Sequence, residues 1–308
     1  MVTFSLHATP SGTAAEWVEL ARRAEAAGYD ALLAPDHPGA AATPFVALAA
    51  AAAVTTTIGL GSNVSNAGIR EPMLLAADVA TLDLVSGGRA RLGIGAGHTP
   101  AEWRAVGRER PDVAGRVRRA VAVADAVRRL LDGEEVTVDT PDLVLRDARL
   151  DTPRPVQRRI PLTVGTANSC LLRWAGAHAD VVGLAGLGRT LPDGYQHEVR
   201  WRAADIEAQL AQVAAGAAGR TEPPVLEALV QRVEVTDDAE AAAADMAREV
   251  GLSVAELLAT PYVLMGTEDE IVAAVAGHRR RWGITRFAVR APALDALAPV
   301  LPRVATLD

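Results

Sequence analysis

Short apolar runs alternate with longer helix-periodic stretches from one end of this 308-residue chain to the other. Residues 4–8, 30–34, 57–62, 89–95, 160–164, 180–184, 225–235 and 287–290 read as strands. Residues 14–27, 42–53, 71–85, 112–131, 169–177, 198–215, 238–250, 254–258, 268–282 and 294–304 read as helices. Thr13 and Glu16 have the spacing of a capping box at the first helix. Residues 136–138 and 143–145 read as a small surface hairpin around Pro141-Asp142. Strands that alternate with helices pair in parallel, because each crossover helix carries the chain back to the starting end of the sheet. Eight such strands predict the α/β class and a closed (β/α)8 TIM barrel with insertions. An open doubly wound sheet is the competing architecture, weakened because no Gly-rich fingerprint follows the first strand. No linker divides the chain, so residues 1–308 read as one domain, with an insertion or lid over about 186–224.

Composition narrows the function classes. The chain carries 38 acidic against 31 basic side chains, a formal charge of −7. Nucleic acid is not an expected partner, since it requires a basic face. Every basic residue is Arg, so there is neither a Schiff-base lysine nor a P-loop lysine. Genomic base composition explains the Arg and Ala richness most simply. Cys170 is the only cysteine, which excludes a disulfide framework or a Cys-based zinc site within one chain. There is no run of 18 apolar residues and no leader pattern, so the expectation is a cytoplasmic protein with no membrane partner.

Barrel enzymes carry their chemistry at the C-terminal ends of the strands. The residues just past successive strands are His7 and Thr9; Asp36 and His37; Asn63, Ser65 and Asn66; Gly95, Gly97 and His98; Gly165, Thr166 and Asn168; Gly186 and Gly188. His7, His37 and His98 could each donate or accept a proton near neutral pH. One such histidine alone is better explained as a hydrogen-bonded loop residue; three on one rim point toward function. No His-x-His or His-x-x-x-His pair supports a zinc site, so no metal is expected. Gly93-Ile94-Gly95-Ala96-Gly97 permits close approach of a ligand or simply tight packing. Thr166-Ala167-Asn168-Ser169 opens a helix whose N-terminus suits a phosphate, or is an ordinary N-cap. In the 186–224 segment Tyr195, His197, Arg200 and Trp201 are candidates for substrate contact; a surface helix packing in a dimer reads equally well.

Several blocks together resemble the bacterial luciferase-like monooxygenase superfamily, and within it the coenzyme F420-dependent oxidoreductases. They are Ile58-Gly59-Leu60-Gly61-Ser62-Asn63-Val64, Arg70-Glu71-Pro72, Ala80-Thr81-Leu82-Asp83, Ser86-Gly87-Gly88-Arg89 and Leu92-Gly93-Ile94-Gly95-Ala96-Gly97. Pro35-Asp36-His37, Pro153-Arg154-Pro155-Val156-Gln157 and Asp180-Val181-Val182-Gly183-Leu184 agree in order. The resemblance implies a luciferase-like barrel that binds a flavin or deazaflavin at its rim. It implies His37 near the reactive ring face, and a non-proline cis peptide at Asn63-Val64 behind the ring. It implies Gly95, Gly97 and His98 at the ring edge, and Gly165, Thr166, Ala167 and Asn168 around the cofactor phosphate. His7 and Asp36 fall at the same rim. Position 98 departs from relatives, which often carry an acid or Trp there, so the acid's role does not transfer intact.

The resemblance implies an F420-dependent oxidoreductase that moves a hydride between the deazaflavin and a small organic substrate. His37 and His98 are then the candidate proton donor and acceptor. The alternative cofactor is FMN, in a luciferase-like monooxygenase; a non-catalytic flavin-binding barrel is the third reading. Relatives imply a homodimer. The substrate's identity is not legible.

Overall fold

The computed structural model describes residues 1–191 and 197–307. Eight strands carry the fold: β1 (Thr3–His7), β2 (Ala31–Ala34), β3 (Gly59–Ser62), β4 (Ala90–Gly95), β5 (Leu162–Gly165), β6 (Val181–Leu184), β7 (Val225–Leu229) and β8 (Ile284–Arg290). All pair in parallel and in chain order, and β8 closes on β1 with Phe4 opposite Phe287. The expected (β/α)8 barrel is what the chain forms.

Side chains alternate across each strand. The outward set, including Phe4, Leu6, Leu32, Leu60, Leu92, Ile94 and Phe287, is buried beneath the surrounding helices and forms the main core. The inward set is small or polar, and Ala31, Leu33 and Ala288 make a separate cluster inside the barrel. Low in that interior Arg91 donates to Asp30 at 2.7 Å, and Arg286 lies 3.8 Å from the same carboxylate. Glycines on β4 and β5 leave a hollow in the wall that Val64 fills. A Cβ on Gly95 would stand 2.6 Å from Val64 Cγ2; one on Gly165 would stand 3.1 Å from Val64 Cγ1.

Local expectations hold where chemistry and period agree. Thr13 and Glu16 form the capping box of the helix Ala14–Ala26. The small hairpin is present as Glu135–Thr140 and Leu143–Arg149. Three readings need correction. Residues 225–235 are not one strand: β7 ends at Leu229, and Arg232–Val235 leaves the barrel to pair with Val263–Gly266. That second strand was missed because its short apolar run follows closely on the helix Val254–Leu258. The helix expected over 198–215 is Ala203–Ala217. The residues before it, His197–Val199, pair antiparallel with Leu187–Thr190. The apolar residues Val199 and Trp201 are two apart, a strand period rather than a helical one. Among the described residues no helix is long and apolar enough to cross a membrane.

Candidate active site

The strand ends at the C-terminal mouth are tied together by a chain of polar contacts that begins at Asp36. Its side chain is fully buried after β2 and takes two bonds from the Arg70 guanidinium, 3.0 Å from Nε and 2.7 Å from Nη2. It also accepts from the Asn66 backbone N–H at 3.0 Å. Asp36 is therefore occupied in joining the β2 end to the segment after β3. Asn66 continues the chain: its amide donates to Glu102 Oε2 at 2.5 Å, and its carbonyl oxygen accepts from Gly68 N at 2.8 Å. Glu102, buried in the first turn of the helix Pro100–Ala105, stands 2.7 Å from His37 Nδ1. This bond holds the His37 imidazole above its ordinary range against the opposing effect of burial. With Nδ1 engaged, Nε2 is the nitrogen left for a ligand.

His98 follows β4 and meets His37 edge-on, ring centroids 5.5 Å apart. Burial pushes its pKa down to about 4, and His197 and His37 push the same way. Among the described residues its ring nitrogens have no hydrogen-bond partner. The mouth thus brings together two imidazoles shifted in opposite directions, His37 upward and His98 downward, a separation suited to acid–base work. Gly97 serves this network: its φ is +72°, and a Cβ there would stand 2.0 Å from Asn66 Oδ1.

His7 lies deeper and is buried. Its Nε2–H donates to the Asn63 carbonyl at 3.1 Å, while Nδ1 accepts from Arg290 at 3.2 Å. That is the neutral tautomer, in keeping with a pKa that burial and then Arg290 lower to about 4. Arg290 also donates to Gln231 Oε1 at 3.0 Å. Asn63 is held on its other side by Glu227, 3.2 Å from Nδ2, whose carboxyl burial shifts upward. The peptide Asn63-Val64 is cis, as the resemblance implied. His7 and Glu227 position this turn, and Val64 presents an apolar surface over the glycine hollow.

At the β5 end, Asn168 Oδ1 accepts from Cys170 N at 3.0 Å and Leu171 N at 3.1 Å. Thr166 Oγ1 accepts from Asn168 N at 3.0 Å. The 165–168 turn is thus an N-cap of the helix Ser169–His178, with several of its donors already served. Cationic donors stand after β4 instead. Arg110 and Arg116 each carry a buried Nε without a partner, and no described carboxylate pairs with either guanidinium. Arg116 Nη1 donates to Gly97 O at 3.1 Å, and the charge on Arg110 is felt at His98. Beside His37 a cavity of about 440 Å³ is lined by Pro38, Gly39, Ala41, Thr43, Ile69, Arg70 and Val106.

The substrate candidates separate. His197 reaches the mouth and lies edge-on to His98, centroids 4.6 Å apart. Trp201 is buried against Tyr262. Tyr195 lies outside the described residues. Sequence reasoning missed Glu102, Glu227, Arg290, Gln231, Arg110 and Arg116 as parts of the site. Glu102 was visible only as a helix-start signal with Thr99 and Pro100. Among the described residues no three of His, Cys, Asp and Glu are placed to share a metal ion.

Comparison with known proteins agrees with this architecture. The chain is 34% identical over 167 residues to 4-hydroxyprotoasukamycin monooxygenase of Streptomyces nodosus subsp. asukaensis, covering 52% of this chain and 44% of that one. It is 33% identical over 181 residues to the F420-dependent glucose-6-phosphate dehydrogenase of Beutenbergia cavernae, covering 54% of this chain and 52% of that one. The chain spans about half the length of the curated relatives it matches. The structure of the coenzyme F420-dependent tetrahydromethanopterin reductase from Methanopyrus kandleri superposes with a TM-score of 0.77. That match covers 98% of this chain and 99% of that one at 19% identity, a likeness of fold. The family profile of the luciferase-like monooxygenases matches residues 1–286, and the chain belongs to that family.

Proposed function

We propose that the chain is an oxidoreductase that uses coenzyme F420 to transfer a hydride to or from a small organic substrate at the barrel mouth. The observation that carries this reading is the meeting of His37, bonded to Glu102 and shifted upward, with His98, shifted downward by burial, at the strand ends. The surroundings fit a flat ring system: the glycine hollow seats Val64, and the mouth above it is edged by imidazoles. Arg110 and Arg116 are the cations available to a cofactor phosphate or another anion. Bound there, the deazaflavin supplies or accepts the hydride.

The protein's part is positioning and proton management. Glu102 orients His37 and stabilises its imidazolium, so His37 Nε2 can give a proton to the substrate atom next to the carbon receiving hydride. In the opposite direction His37 Nε2, unprotonated, takes that proton back from the substrate hydroxyl, and His98 is the second candidate for the same role. The hairpin carrying His197 helps to wall the mouth from water. FMN is the alternative cofactor, favoured by the likeness to a monooxygenase of Streptomyces nodosus subsp. asukaensis. The same reading takes the protein as a homodimer. The exposed apolar residues Val46 on the helix Pro44–Ala52 and Leu74, Leu84 and Val85 on the adjoining helix Pro72–Ser86 support it.

The test is substrate-screened turnover with reduced F420 under nitrogen and under air. Oxidation of F420 that matches reduction of a carbonyl or alkene substrate and is indifferent to oxygen is expected. Stoichiometric oxygen uptake with reduced FMN, and none of this activity with F420, would move the protein to the monooxygenase side.

A further inference from the structure

A hairpin made of Leu187–Thr190 and His197–Val199 leaves the barrel after β6 and returns at Trp201. Its base is fixed. Arg200 N–H donates to Gly186 O at 2.8 Å, and the buried Trp201 ring packs on Tyr262 with centroids 5.8 Å apart. Where Thr190 pairs with His197, the hairpin meets the end of β4. There the His197 ring meets His98 at 4.6 Å and 66°, and His98 meets His37 at 5.5 Å and 73°. Three imidazoles from three separate elements stand in a row. They touch edge to face and are not joined by hydrogen bonds.

We propose, building on the reading of this mouth as the cofactor site, that His197 is a positioning residue: it docks the hairpin onto His98 and thereby couples closure of the mouth to the charge on His98. Uncharged aromatic rings attract edge to face at this separation, whereas two imidazoliums so close repel. His197 Nδ1 lies 3.4 Å from Gly188 O across its own hairpin, a weak bond that favours the Nδ1–H tautomer. The groups facing His98 are His37, His197, Glu102 and Arg110. The one carboxylate among them is already bonded to His37 and Asn66. A proton on His98 therefore meets one guanidinium and two imidazoles with little to offset it. The nearest of these, His197, is the one carried on a surface hairpin, so departure of the hairpin relieves the repulsion. Closed mouth and neutral His98 go together, as do open mouth and charged His98.

The test reads the protein without ligand. Histidine titrations by NMR and amide hydrogen exchange in residues 187–190 and 197–199, corrected for intrinsic exchange, are compared in wild type, His197→Ala and His197→Phe. In wild type the His98 midpoint lies well below 6.5, and hairpin protection falls about tenfold as pH drops through that midpoint. In His197→Ala the His98 midpoint moves up toward 6.5 and hairpin protection is low at every pH. His197→Phe, which keeps an aromatic ring at this position, restores the docked hairpin. Unperturbed His178 and His278 signals show that each variant is folded. An unchanged His98 midpoint in His197→Ala, or wild-type protection indifferent to pH, overturns the proposal. No cofactor enters either readout, so failure here is separate from failure of the F420 reading.

Discussion

Glu102 Oε1 stands 2.7 Å from His37 Nδ1 and joins the loop after β4 to the end of β2. The carboxylate is buried while the imidazole is 40% exposed, so the pair orients the His37 ring at the surface of the mouth, as the proposed proton donor requires. Replacing Glu102 by Gln keeps the shape and removes the charge. The His37 midpoint should fall, and kcat should drop by roughly 10²-fold with cofactor affinity changed only a few-fold. Histidine NMR and steady-state kinetics on the variant check both halves. An unchanged kcat would remove His37 from the chemistry.

Asp36 and Arg70 form a different kind of pair. The carboxylate is fully buried and bonded twice to one guanidinium. Asp36→Ala leaves that cation without its partner and also frees the Asn66 N–H. A loss of about 3 kcal/mol in unfolding free energy is expected from breaking such a pair. Urea denaturation measures it, and a loss within experimental error of zero would contradict the anchoring role.

The hollow in the wall gives a coupled prediction. Gly95→Ala places a methyl group 2.6 Å from Val64 Cγ2 and should cost about 1–3 kcal/mol by overpacking. Val64→Ala relieves that clash. The double variant should therefore be less destabilised than the sum of the two single changes, by at least about 1 kcal/mol in a double-mutant cycle. Additive effects would show that Val64 does not fill the hollow.

Acid should weaken the fold through His7 and His278. Both are buried, and burial holds each near a pKa of about 4. The unfolded chain binds protons at these sites near pH 6.5. Their neutral-state stabilisation is thus present above pH 6.5 and lost as pH falls toward 4, on the order of 1–2 kcal/mol each by pH 5. His278 stacks on Trp282 with centroids 5.5 Å apart and has an unpartnered Nε2, so His278→Leu can keep the packing and remove the titration. Its stability should fall less steeply between pH 7 and pH 5 than that of the wild type.

Much of the barrel was legible because strand and helix periods repeat eight times and glycines or caps punctuate them. The failures are local. Val263–Gly266 is short and close behind a helix, so no period distinguishes it. The segment at His197 carries only two alternating apolar residues. His37 and His98 were legible by position after a strand, and their meeting at the mouth follows from barrel closure. Glu102, Glu227 and Arg290 were not legible as site residues. Their partners lie tens to hundreds of positions away in the chain, and a buried charge looks like any surface charge until the fold brings its partner to it. Trp201 shows the limit from the other side: an aromatic in that segment reads as a ligand contact, and in the structure it is buried against Tyr262.

The proposed function requires this mouth to hold a deazaflavin. Equilibrium titration of the ligand-free protein with F420 and, separately, with FMN, read by fluorescence quenching, tests it most directly. Saturable F420 binding at least about tenfold tighter than FMN binding, and weakened in an Arg110→Ala/Arg116→Ala variant, is the result predicted. FMN binding tighter than F420, or no binding of either, would contradict it.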